Sequence, residues 1–236
     1  MNHPLNKKQY LNNFLLILFI VNTTLSFSQK QKPFTGMLEY KLAARDTSMK
    51  DILTSYPMVI YSNDTITRTE NITKQLGPQV VIHHLILNKS YLLLKTAHGK
   101  FAIKTDLSKN ANKSDTTQSN YTFEKKFFKR KILGMKANRI LVSHPSFTEP
   151  IEFLYLKKTS NKYNKIFDEV PGLLVKYSIA TPNGILDYEL TKMSKYTPEK
   201  DMFGIPSDFK KITFDEFIDI MTSPENQPII SPEEMN

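Results

Sequence analysis

The 236 residues contain no Cys and no Trp, 13 Pro and 7 Gly, and 32 Lys+Arg against 23 Asp+Glu give a formal charge of +9. That length holds one domain or two small ones. The missing cysteine excludes disulfides, thiolate metal sites, thiol nucleophiles and an acylated-cysteine anchor, and scarce glycine with no phosphate-cradling run leaves nucleotide binding without support.

Lys7 and Lys8 precede the apolar run Phe14–Val21, and Ser26 and Ser28 place small residues before Gln29. This is the pattern of a secretory signal peptide over residues 1–28. As a helix the run would cover only about 12 Å of a hydrocarbon core about 30 Å thick, so a membrane anchor is the poorer reading. No later segment is long and apolar enough to span a bilayer. The mature chain is expected to be periplasmic or secreted, without a lipid anchor, and to act as a monomer. Removing the segment takes away two lysines and no acid, which leaves +7.

From Phe34 onward, runs of about eight residues rich in β-branched and aromatic side chains alternate with polar turns. Strands are expected over Phe34–Leu42, Pro57–Ser62, Thr65–Glu70, Val80–Leu87, Tyr91–Thr96 and Phe101–Lys104. A short helix is expected over Thr47–Ser55, and the tight turns between strands predict an antiparallel meander. Residues 105–120 have no periodicity and read as a flexible loop between two halves of a sheet. Strands resume at Tyr121–Phe128, Lys136–Ser143 and Ile151–Leu156, and Lys157–Lys165 reads as a polar loop. Gly172–Ala180 and Ile185–Lys192 flank Pro182-Asn183-Gly184, a hairpin signal. Thr213–Met221 is the clearest helix: Thr213 and Glu216 form a capping box, and Phe214, Phe217, Ile218 and Met221 share a face. The expectation is one β-rich domain over residues 29–222 and a disordered tail over 223–236.

Chemistry-bearing constellations are sparse. His83 and His84 are adjacent on a strand and point to opposite faces, so they cannot serve one metal together. His98 and His144 sit in turns, no metal-ligand spacing appears, and no metal or cofactor is expected. No serine elbow is present. Asp168, Glu169, Asp187 and Glu189 are the candidate acids; Asp187 and Glu189 share a strand face, which suits acid–base work in a pocket but equally a solvated face. A non-enzymatic role is the expectation. Lys125, Lys126, Lys129, Arg130 and Lys131 surround Phe127 and Phe128. This basic patch reads either as a surface for anionic headgroups or acidic glycans, or as a solvated strand with Phe123, Phe127 or Phe128 turned into the core. Export argues against a nucleic-acid partner.

Four stretches resemble one family. Phe34-Thr35-Gly36-Met37-Leu38-Glu39-Tyr40, Ile132-Leu133-Gly134-Met135-Lys136-Ala137, Val170-Pro171-Gly172-Leu173-Leu174-Val175 and Phe203-Gly204-Ile205-Pro206-Ser207-Asp208-Phe209 are similar, in order and spacing, to motifs of GLPGLI-type secreted envelope proteins. The matches depart at Glu169-Val170, at Leu154-Tyr155-Leu156 and at Ala137, where the family has Gly-Leu, Trp-Tyr-Thr and Cys. The resemblance implies a mainly β (α+β) fold: a curved antiparallel sheet, an open half-barrel like that of bacterial lipoprotein carriers, with few helices and an apolar cavity. It implies no catalytic residues. A lipid or acyl chain would then meet Leu173, Val175, Tyr177 and Ile179 on one face of their strand; the alternative is that these serve only the core. A second function class is an interaction module that docks an envelope or secretion-system protein. Asp64-Thr65-Ile66 and Asp115-Thr116-Thr117 resemble O-glycosylation signals of exported proteins, with Thr116 the better placed and Thr65 the second candidate.

Overall fold

A computed structural model describes residues 33–45, 56–74, 77–105 and 120–223. The signal segment, the helix expected over Thr47–Ser55, Thr116 with most of the 105–120 loop, and the tail beyond Ser223 lie outside the described residues.

The described residues form one curved, open sheet of twelve strands with one α-helix. The strands are β1 (Thr35–Ala44), β2 (Met58–Asn63), β3 (Ile66–Thr73), β4 (Gly77–His84), β5 (Lys89–Thr96), β6 (Gly99–Thr105), β7 (Thr122–Ile132), β8 (Met135–Ser143), β9 (Ile151–Leu156), β10 (Leu173–Thr181), β11 (Gly184–Lys195) and β12 (Lys210–Ile212). The helix, α1, spans Phe214–Thr222. Spatial order is β12-β6-β5-β4-β3-β2-β1-β11-β10-β9-β8-β7. Two antiparallel meanders therefore meet at β1 and β11, the expected two halves of one sheet. Only β12 pairs in parallel, along β6.

Alternation explains why these segments are strands. On β1, buried Leu38 and Tyr40 alternate with half-buried Met37 and Glu39, and on β2 buried Met58, Ile60 and Ser62 do the same. Because antiparallel partners share a face, Tyr40, Met58, Tyr188 and Tyr177 fall on one side of the sheet, the inner face. Thr191 is an extra residue opposite the Glu39–Tyr40 step, and this bulge bends the central pair. Its hydroxyl donates to the Glu39 carbonyl at 3.1 Å.

Two family-like glycines are required by close backbone approach. At Gly36, φ is +146° and a Cβ would lie 2.0 Å from the Ser194 carbonyl oxygen. At Gly172, a Cβ would lie 2.5 Å from the Leu156 carbonyl oxygen, where β9 and β10 begin to pair.

The inner face carries the core, and among the described residues two separate pieces of chain pack against the sheet. One is the excursion between β9 and β10, expected as a polar loop. It turns inward through a short 3₁₀ helix, Asn161–Tyr163, and buries Tyr163, Ile166, Phe167 and Val170. Even Lys165 is 5 % exposed; its stem lies in the core and its ammonium reaches Asp168. The other piece is the C-terminal segment. Ile205 and Phe209 pack on Ile82, Leu93 and Ala102 of the outer face, and β12 follows the β6 edge. Then α1 returns over the inner face, with Phe217 edge-on to Phe101 at 5.8 Å. The capping box is present: the Thr213 hydroxyl accepts from the Glu216 N–H, and Glu216 accepts from the Thr213 N–H at 2.6 Å.

Candidate functional site

Cross-strand register places five polar side chains in one row on the inner face. Ser62 on β2 stands opposite Thr67 on β3, Thr67 opposite His83 on β4, His83 opposite Ser90 on β5, and Ser90 opposite Thr105 on β6. Neighbours in such a row have Cβ atoms about 5 Å apart. All five are buried, His83 at 5 % and Ser90 at 0 % exposure. The Ser62 hydroxyl donates to the Phe34 carbonyl at 3.2 Å. By contrast both ring nitrogens of His83, Ser90 Oγ and Thr105 Oγ1 have no hydrogen-bond partner among the described residues. Gln79, two positions from Val81 on the same face, donates to Thr73, and its own Oε1 has no partner among the described residues.

Such a row is costly in a largely apolar core: each buried, unpartnered polar group costs about 1–3 kcal/mol. Burial is also the main reason the His83 imidazole is pushed down to about 4, with the neighbouring His84 adding to it, so the ring is neutral at ordinary pH. A neutral imidazole beside two hydroxyls offers donors and acceptors but no charge. One step along the strands, the inner face turns apolar with Val81, Leu92 and Ile103, then Leu94 and Phe101, under α1. The arrangement is a polar strip beside an apolar wall.

The strip ends at an ionic clamp. Lys162 lies 2.7 Å from the Asp64 carboxylate, and the Tyr163 hydroxyl donates to the same group. The Phe34 N–H in turn donates to the Tyr163 hydroxyl at 2.5 Å. Partial burial pushes the Asp64 carboxyl up, but the bonds from Lys162 and Tyr163 outweigh it and hold the group below its usual range. The clamp ties the β9–β10 excursion to the β2–β3 turn. Thr65 sits exposed in that turn, its hydroxyl donating to Asn63 at 2.9 Å.

Leu173, Val175, Tyr177 and Ile179 all lie in the main core. Tyr177 stacks on Tyr188 at 4.7 Å and receives a hydrogen bond from the Asn164 amide, so this part of the inner face is filled by the protein's own side chains. Asp187 and Glu189 do share a face, the outer one, beside a groove of about 320 Å³. Each has a cation: Arg45 lies 2.8 Å from Asp187, and Lys176 lies 3.0 Å from Glu189. Ser178 also donates to Asp187 at 2.6 Å. Asp168 and Glu169 are exposed. His83 is the inward member of the His83–His84 pair; His84 accepts from the Leu87 N–H.

Of the three phenylalanines of the basic stretch, two depart from the core reading. Phe123 packs partly against the core, but Phe127 and Phe128 are 99 % and 80 % exposed. Between Lys126 and Arg130 three residues of β7 stand against Asn138 alone, and the bulge breaks the alternation that would have turned one of the rings inward.

The polar strip was not among the sequence candidates. Its signal is one of register: Ser62, Thr67, His83, Ser90 and Thr105 are unremarkable singly and form a row only once five strands are paired. The buried excursion did carry a local signal, because Tyr163, Ile166, Phe167 and Val170 recur at helical spacing within a polar stretch.

No protein-family model matches the chain, so the GLPGLI-type resemblance rests on its four motifs alone, and no curated protein matches in sequence. Among solved structures, two crystal forms of PNGF-II align at TM-scores of 0.41 and 0.43 with 14 % identity, covering 78 % of this chain and 32 % of theirs. The chain thus spans about a third of that protein's length. Lipoprotein LppX of Mycobacterium tuberculosis aligns at a TM-score of 0.36 with 11 % identity, over 66 % of this chain and 85 % of that one.

Proposed function

We propose that this chain is a non-enzymatic binding protein of the cell envelope, exported on residues 1–28, that holds an amphiphile on the inner face of the β2–β6 half of its sheet. The observation that carries the reading is the buried strip of His83, Ser90 and Thr105, whose polar atoms find no partner among the described residues, beside the apolar wall of Val81, Leu92 and Ile103. An ester or hydroxyl group would satisfy the strip without bringing a charge into the core, and an acyl chain would lie along the wall by displacing α1, whose Phe217 and Ile218 cover it here. Asp187 and Glu189, engaged by Arg45 and Lys176, lie on the outer face and take no part in this site.

The test is to purify the exported protein, extract it into organic solvent and analyse the extract by mass spectrometry, then reload delipidated protein with monoacylglycerol. Stoichiometric recovery of an uncharged-headgroup lipid, and reloading that weakens when His83 is replaced, are the expected results. A protein that carries no lipid and takes up none, while a stable protein partner copurifies, would overturn the reading in favour of a docking module.

A further inference from the structure

Among the described elements, the β7–β8 hairpin joins the densest run of cations to the most exposed aromatic side chains. Between Thr122 and Ser143 it carries seven Lys and Arg and a single acid, Glu124. Lys126 pairs with Glu124, while Arg130 and Arg139 share Glu152 of β9. Among the described residues Lys125, Lys129, Lys131 and Lys136 have no carboxylate partner. From their midst the three-residue bulge pushes out Phe127 and Phe128. Leu133, at the hairpin turn, is a third exposed apolar side chain at 47 %. Pairing of β8 with β9 stops at Asn138, so the hairpin beyond that point, Arg130–Ala137, projects past the body of the sheet.

Lysines on an edge strand are an ordinary defence against edge-to-edge pairing, and β7 is an edge. Two phenylalanines this exposed are the opposite of such a defence. Cations that lack partners, around protruding aromatic rings, are instead the pattern that suits an interface with negative headgroups and an acyl region just beneath.

We infer that the β7–β8 hairpin docks this protein onto an anionic lipid bilayer, with Phe127 and Phe128 entering the headgroup–acyl boundary and Lys125, Lys129 and Lys131 lying on the anionic surface. This goes beyond the amphiphile site: the hairpin is at the opposite end of the sheet from β2–β6 and shares no residue with it.

The experiment is sedimentation of the exported protein with vesicles of phosphatidylcholine, with and without phosphatidylglycerol. Wild-type protein binds the anionic vesicles and releases at high salt. Neutralising Lys125, Lys129 and Lys131 together to Gln weakens binding about a hundredfold. The double change F127S/F128S weakens it about a hundredfold. All five side chains are on the surface, so the melting temperature serves as the control that the variants fold. The chain has no tryptophan, and F128W supplies a lone indole, excited selectively over tyrosine, whose emission shifts to the blue on anionic vesicles. The inference is overturned if wild-type protein ignores both vesicles, if F127S/F128S binds as well as wild type, or if F128W emission stays unshifted on vesicles that carry the protein. It is equally overturned if the hairpin drives only concentration-dependent self-association along the β7 edge.

Discussion

Replacing His83 with Leu should make the unliganded protein more stable, contrary to the usual effect of changing a buried residue. His83 is 5 % exposed and both of its ring nitrogens are unpartnered among the described residues, each at a cost of about 1–3 kcal/mol. Leu removes both and sits beside Val81 and Leu92, at some loss of fit, so the net gain should be about 1–3 kcal/mol. The pH dependence should change as well. In the unfolded chain the imidazole takes its proton near 6.5, but in the folded protein it resists down to about 4. Between those values the unfolded state binds more protons, so wild-type stability falls as pH drops through that window and levels off below it. The gap corresponds to roughly 3 kcal/mol. Urea unfolding of wild type and His83→Leu, above pH 6.5 and again near pH 4, measures both effects. A variant that is less stable than wild type at neutral pH, or that keeps the same acid-side loss, would refute the reasoning.

Gly172→Ala should destabilise by about 1–3 kcal/mol, because its Cβ would meet backbone 2.5 Å away, and calorimetry would register the lower Tm. Asp64→Asn should loosen the β9–β10 excursion at a cost of about 1–3 kcal/mol, read as a lower urea midpoint and faster proteolysis near Lys162. Because the Asp64 carboxyl is held below its ordinary value of 3.8, its stabilising contribution is complete above that pH and is lost as pH falls through the folded value; the acid limb of the wild-type stability curve should flatten in Asp64→Asn. Phe217→Ala should cost about 3–5 kcal/mol and raise hydrogen exchange along β6, since Phe217 is the α1 anchor on Phe101.

The two meanders and the capped helix were legible because each rests on local rules. Period-2 alternation marks β1 and β2, short apolar runs between polar turns mark β5, β6, β9 and β10, Pro182-Asn183 turns β10 into β11, and Thr213 with Glu216 starts α1. What escaped was set by distant partners. β12 is three residues long, too short to show a period, and exists because β6 offers an edge. Tyr163, Ile166 and Phe167 are hidden among lysines and asparagines whose polar ends reach Asp64, Asp168 or Tyr177, so a loop polar in composition serves as core. Phe127 and Phe128 alternate in the sequence like strand residues, and only the bulge opposite Asn138 decides that both face solvent. The polar strip is the extreme case, since one residue from each of five strands has no signature along the chain.

The most direct test of the amphiphile site is photocrosslinking with a monoacylglycerol that carries a diazirine in its acyl chain, followed by peptide mapping. The account predicts label on the inner-face positions of β4, β5 and β6, around Val81, Leu92 and Ile103, reduced in His83→Leu. Label confined to the β7–β8 hairpin or the outer groove, or spread equally in wild type and variant, would contradict it.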